Sequence, residues 1–178
     1  PDVLDSDLDD IPEAGIRMAR PDGDHAKVLK YNQWYKAVQG YLASIAYADA
    51  QIGRLLDALD GSPYAENTII VFWSDHGQHL GEKRHWRKMA LWEESTRVPL
   101  SFCVPGSKEA GKECQSAVSL IDIYPTLLDL CSVPAVSGLE GRSLMPQLQD
   151  VETRRSEPAV TTWHYNNHSV RGPRWRYI

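Results

Sequence analysis

The chain has 178 residues, with 19 lysines and arginines against 24 aspartates and glutamates, a formal net charge of −5. That balance excludes the basic footprint of a binder of nucleic acid or anionic membrane, and 42% hydrophobic with 24% charged residues excludes a disordered chain. No apolar run approaches the roughly 18 residues of a membrane span, and no signal-peptide pattern opens the sequence. The length suits one domain of about 150 residues and a little more. Because the sequence opens on Pro1 and ends on Ile178 inside a predicted strand, the expectation is a piece of a larger protein.

Pro1 to about Asp24 is acidic and rich in Pro, Gly and Asp, as in Asp7-Leu8-Asp9-Asp10-Ile11-Pro12, and reads as a surface loop. A long helix follows. Tyr31, Trp34, Tyr35, Val38, Tyr41, Leu42, Ile45, Ala48, Ile52, Leu55, Leu56 and Leu59 recur at steps of three and four, and Gly61 and Pro63 stop the pattern. Thr68-Ile69-Ile70-Val71-Phe72-Trp73 is apolar throughout, which suits a strand buried on both faces of a parallel sheet. Val98 to Val104, closed by Pro105-Gly106, reads the same way. Ser119 to Leu130 is a second helix, with Pro125 confined to its first turn. Helix, strand, strand and helix with loops between predict an α/β layer fold with a largely parallel sheet over residues 1–150. From 151 to 178 the texture changes. Pro158 to Trp163 and Ser169 to Ile178 read as short strands, the latter a hairpin around Gly172-Pro173, and predict the start of a small antiparallel subdomain.

Cys103, Cys114 and Cys131 are odd in number and lack CxxC spacing, which argues against a disulfide scaffold or a zinc ribbon. Cys103 and Cys131 lie in apolar runs and are expected as buried small hydrophobes. Asn167-His168-Ser169 fits the glycosylation pattern, a match too short to establish secretion.

The chemistry concentrates in Ser74-Asp75-His76-Gly77-Gln78-His79-Leu80-Gly81-Glu82-Lys83-Arg84-His85-Trp86-Arg87-Lys88, directly after the first apolar strand. Ligands of open α/β sheets bind beyond the carboxyl ends of strands. Asp75 offers a carboxylate there and His76 an imidazole, a pair suited to a divalent metal, while Gly77 lets the backbone turn away. Each has an ordinary structural reading too: a strand-end Asp caps turns, a lone His packs or hydrogen-bonds, and Lys83, Arg84, His85, Arg87 and Lys88 could form a solvated basic face. Taken together they fit a site for a tetrahedral oxyanion, with cations on its equatorial oxygens.

These residues carry a resemblance. Thr68 to Gly106, with S-D-H-G-Q-H-L-G-E-K-R-H-W-R-K and R-V-P-L-S-F-C-V-P-G, resembles the second signature block of the type I sulfatases. The iduronate-2-sulfatase-like and choline-sulfatase-like members are nearest in pattern. Tyr41 to Leu59, Ser119 to Leu130 and Ser169 to Ile178 resemble further blocks of that family, in the family's order.

The resemblance implies an alkaline-phosphatase-like three-layer α/β fold and hydrolysis of sulfate esters, with sugar sulfates as the expected partners. It implies that Asp75 and His76 complete a calcium site, although many members have Asn where this chain has His76. Calcium prefers an all-oxygen shell, so a histidine there admits another divalent ion. Lys88 matches the lysine of the W-x-K element that binds the sulfate and the bridging oxygen, and His79 and His85 receive substrate roles in the same loop. The family's nucleophile is a formylglycine made from a C-x-P-x-R motif in the N-terminal part of the protein. Cys103-Val104-Pro105-Gly106-Ser107 imitates that motif but has Ser107 where Arg is required, so no nucleophile is assigned to this chain. The chain alone is therefore expected to be inactive, and to associate through apolar faces patterned for missing partners. A periplasmic, secreted or lysosomal-type compartment is implied for the whole protein. The competing readings are a phosphate-ester or phosphonate hydrolase of the same superfamily and a non-catalytic binding module.

Overall fold

The computed structural model describes residue 4 and residues 6–178. In chain order the elements are α1 (Glu13–Ala19), α2 (Ala26–Lys30), α3 (Trp34–Asp60), β1 (Ile70–Trp73), β2 (His79–Leu80), β3 (Trp86–Arg87), α4 (Glu93–Thr96), β4 (Leu100–Cys103), α5 (Ile123–Leu130), α6 (Met145–Gln149), β5 (Ala159–Thr162), β6 (His168–Arg171) and β7 (Arg176–Tyr177). They fall into two compact units, Pro1–Thr68 with His76–Val98, and Ile69–Asp75 with Pro99–Ile178. Among the described residues no helix is long and apolar enough to cross a membrane.

The first unit is built around aromatic and histidine side chains. Leu8, Met18, Ala19, His25, His79, His85, Trp86, Leu91 and Trp92 are its buried residues of note. The segment before Asp24 is thus more than the expected surface loop. It forms α1 and a following turn and contributes Leu8, Met18 and Ala19 to the core, while Pro1–Val3 and Asp5 lie outside the described residues. Trp34, at the start of α3, packs edge-on against Trp86 with ring centroids 5.4 Å apart. It also covers Gly81, whose φ is +123° and where a Cβ would come within 2.2 Å of the Trp34 ring. Only glycine satisfies both conditions. Beyond Trp34, α3 runs to Asp60 with none of its residues buried.

In the second unit β1 pairs antiparallel with β4, from Ile70 opposite Cys103 to Trp73 opposite Leu100. Among the described residues these strands pair with each other alone, and Phe72 and Trp73 remain exposed, so the two-sided burial expected of them is not met within this chain. Side chains alternate along β4, which puts Cys103 on the exposed face. Cys131 is exposed just past the end of α5. The expectation that both are buried is corrected: Cys103 falls on the uncovered face of a strand that is half-buried on one face only, and Cys131 lies at the exposed C-terminal end of a helix.

Asp122 organises this unit. It is fully buried and accepts from the backbone N–H of Ser119 and Arg142, each at 2.8 Å, and from both terminal nitrogens of Arg155. The Ser119–Asp122 exchange is a capping box that starts the turn leading into α5. One turn later the fully buried Thr126 hydroxyl donates to Asp122 O at 2.6 Å and accepts from Leu144 N–H at 2.9 Å. Gly141 lies so close that a Cβ would meet Ile121 O at 2.0 Å. A carboxylate and a hydroxyl four residues apart on one helical face thereby join three chain segments. Pro125 sits in the first turn of α5, where its missing N–H costs nothing. The antiparallel sheet β5-β6-β7 completes the unit, with Gly172 N–H bonded to Trp175 O in the expected hairpin turn.

Candidate active site

The chain leaves β1 through Ser74 and Asp75 and enters the first unit at His76. Gly77 then passes beneath α4. Its N–H donates to Ser95 O at 2.8 Å, and a Cβ would stand 1.9 Å from Glu94 O. The approach of two backbones, more than conformational freedom, requires glycine here. From His79 to Lys88 the chain forms a hairpin, with His79 opposite Arg87 and Leu80 opposite Trp86. Glu82 ties its turn by accepting the Leu80 N–H at 2.6 Å. The turn is wound tightly, with Lys83, Arg84 and Arg87 all at positive φ. Such conformations are costly outside glycine and persist where surrounding contacts impose them.

Those contacts come from the acidic N-terminal segment. Asp7 receives the Lys83 backbone N–H at 2.7 Å and its ammonium at 2.7 Å. Burial pushes the Asp7 carboxyl up, but the two Lys83 hydrogen bonds outweigh it and hold the group below the ordinary carboxylate value. The Asp24 carboxylate meets Arg87 Nε at 2.9 Å. His85 is buried and donates from Nδ1 to Ala19 O at 2.8 Å. Lys83, His85 and Arg87 therefore serve the packing of the hairpin, and the basic cluster read from the sequence resolves largely into structural contacts.

Lys88 differs. It is exposed, and its Nζ lies 2.6 Å from His76 Nε2. An ammonium can only donate, so His76 Nε2 accepts and the ring proton sits on Nδ1, which is 2.8 Å from the Gly77 carbonyl. In that arrangement the Nε2 lone pair of His76 faces the lysine.

His79 is fully buried, with Nδ1 3.1 Å from Glu82 O. Burial first, then the neighbouring His85, pushes its pKa down to about 4; burial likewise lowers that of His85. Both are neutral at pH 7, with their Nδ1 protons committed to backbone carbonyls. Their Nε2 atoms are buried as well, so neither ring presents a nitrogen to the surface.

Asp75 is exposed past β1. A carboxylate oxygen and an imidazole nitrogen are each donors that a divalent cation accepts. Among the described residues no group of three or more His, Cys, Asp or Glu side chains is disposed to hold an ion. Asp7, Ala19 and Asp24 were not singled out from sequence; the available signal was the acidic run around Asp7, opposite in sign to the Lys83–Lys88 stretch.

The sulfatase family model matches residues 9–133. A sulfatase of Formosa agariphila is 42% identical over the whole of this chain, which covers 35% of that protein. A solved protein in complex with its substrate D-glucosamine-2-N,6-O-disulfate superposes with a TM-score of 0.65 and 31% identity, over 76% of this chain and 30% of the other. A 2-O GAG sulfatase structure superposes on 99% of this chain and 42% of its own, with a TM-score of 0.80 at 24% identity, a likeness of fold. The chain thus spans about a third of the length of the curated relative.

Proposed function

Because this chain belongs to the sulfatase family, and so to the alkaline-phosphatase-like α/β class, we propose that it is the later part of a catalytic domain that hydrolyses sulfate esters of sugars. Residues 1–150 are assigned to that domain and residues 151–178 to the start of a C-terminal subdomain, on the change to short antiparallel strands from Ala159 onward, although Pro99–Ile178 packs as part of one compact unit in this chain. The observation that carries the reading is the contact of Lys88 Nζ with His76 Nε2 at 2.6 Å. It brings together the two residues that the family pattern assigns to sulfate and to metal; a bound cation would take the Nε2 lone pair in place of the ammonium and leave Lys88 to the sulfate.

In this reading Lys88 binds a sulfate oxygen and stabilises negative charge on the leaving oxygen. Asp75 and His76 contribute a carboxylate oxygen and an imidazole nitrogen to a divalent cation, proposed as calcium. When bound, such an ion polarises the sulfate ester. The Gly77–Ser95 bond and the clamps on Lys83, His85 and Arg87 hold the hairpin that presents Lys88. The substrate roles expected for His79 and His85 are not carried into this reading, because both Nε2 atoms are buried. The nucleophile, proposed as a formylglycine, comes from elsewhere in the protein, since Ser107 stands where the motif needs Arg. The glucosamine disulfate bound by a structural neighbour supports a saccharide substrate. A periplasmic, secreted or lysosomal-type compartment is proposed on family grounds.

The test is sulfate release by the full-length protein from sulfated glucosamines, run beside p-nitrophenyl phenylphosphonate. Sulfate release well above phosphonate cleavage is expected. Preference for the phosphonate would move the protein to the sister activity, and turnover of neither would leave a binding module.

A further inference from the structure

A pair of imidazoles is buried where hydrophobic side chains would pack as well. His79 is fully buried and His85 nearly so, at 6% exposed. Their rings meet edge-on with centroids 4.9 Å apart, and Trp92 closes the box at 6.0 and 6.5 Å. Each Nδ1 lies against a backbone carbonyl, Glu82 O for His79 and Ala19 O for His85. A carbonyl only accepts, so both rings carry their proton on Nδ1 and present a bare Nε2 lone pair. Both Nε2 atoms are buried without a hydrogen-bond partner.

The pair brackets the turn of the hairpin that ends on Lys88. His79 is paired with Arg87, the residue before Lys88, and His85 pins the other arm to the end of α1. We propose that His79 and His85 are positioning residues for Lys88, a neutral two-imidazole brace that holds the hairpin closed and that acid opens. Its relevance to catalysis rests on the role proposed for Lys88.

A proton added at either Nε2 would place a cation inside the box, beside a second ring and without an acceptor at hydrogen-bond distance. The nearest carboxylate, Glu94 Oε2, is 3.9 Å from His79 Nε2. Glu82 and Asp7 also face His79 and favour its protonation, but burial and His85 outweigh them. Around His85, Asp24 favours the charged form and Arg20 opposes it, with burial again dominant. Both groups therefore bind protons less readily in the closed hairpin than in an open one. Below the ordinary histidine value of about 6.5 the open form gains, by about tenfold per pH unit for each imidazole, until the closed-state values are reached. Above that value pH has no such effect.

The test is hydrogen exchange of the full-length protein between pH 7.5 and 4.5, corrected for intrinsic exchange rates. Wild-type protection over residues 79–88 should fall by at least tenfold below pH 6.5 while α3 keeps its own. In the double variant His79→Gln/His85→Gln the fall should disappear. Equal loss in the variant, or no loss in the wild type, overturns the proposal. Should the variant fail to fold, histidine-labelled NMR of the wild type decides: two rings with Nδ1–H that both titrate below the ordinary value are expected, and Nε2–H tautomers or ordinary titration near about 6.5 refute the brace. Neither readout needs turnover, so failure of the sulfatase reading would be seen separately.

Discussion

Lys88 Nζ and His76 Nε2 are 2.6 Å apart, although twelve positions separate them in the chain. The lone pair that receives the lysine is the one a metal would take, and it cannot serve both at once. Asparagine at 76 would offer an oxygen to either, whereas alanine would offer nothing. In the full-length protein His76→Ala is expected to weaken calcium binding by at least tenfold, with His76→Asn close to wild type, by isothermal titration. Unchanged affinity in the alanine variant would remove His76 from the metal site.

Gly77 tests the backbone approach to α4. A Cβ at 1.9 Å from Glu94 O, with Glu94 C at 2.9 Å, meets main chain that cannot rotate aside. Gly77→Ala should cost roughly 1–3 kcal/mol of stability, the range for overpacked sites. It should also shift His76 away from Lys88. A variant that melts with the wild type and keeps its activity would contradict the contact.

The Asp122–Arg155 pair is expected to matter for stability only. Removing one partner of a buried ion pair strands the other, at a cost of about 3–5 kcal/mol. Arg155 is 11% exposed at its side chain and Asp122 not at all. Asp122→Ala should lower the denaturant midpoint strongly while any folded fraction keeps its KM. A KM that rises with little loss of stability would give Asp122 a role in the site.

Much of this was legible in the sequence. The three-and-four spacing of Trp34 to Leu59 marked α3, and Gly172-Pro173 marked the last hairpin, because both signals are local. Asp75, His76 and Lys88 were legible as residue types in a family pattern. The hydrogen bond between the last two was not, since it depends on how the hairpin folds back. The clamp of Asp7 on Lys83 spans 76 positions and left only a charge contrast to read. The exposure of Cys103 is not legible, because composition shows that a run is apolar but not how many faces of its strand are covered.

The stripe on α3 has its own consequence. Leu42, Ile45 and Leu55 are 57%, 48% and 70% exposed, and no residue of the helix is buried. Uncovered apolar surface of this kind drives association. The isolated 178-residue chain is expected to scatter light as oligomers, and Leu42→Glu with Ile45→Glu should reduce the apparent mass. A monodisperse monomer would count against it.

The most direct measurement is the turnover of p-nitrophenyl sulfate by full-length wild type and Lys88→Ala. Loss of one group that stabilises developing negative charge typically costs about 10²–10³ in rate. A fall in kcat of that size, with the fold retained by circular dichroism, is the result expected. Near-normal kcat in Lys88→Ala would contradict the assignment of this hairpin as the sulfate-binding element.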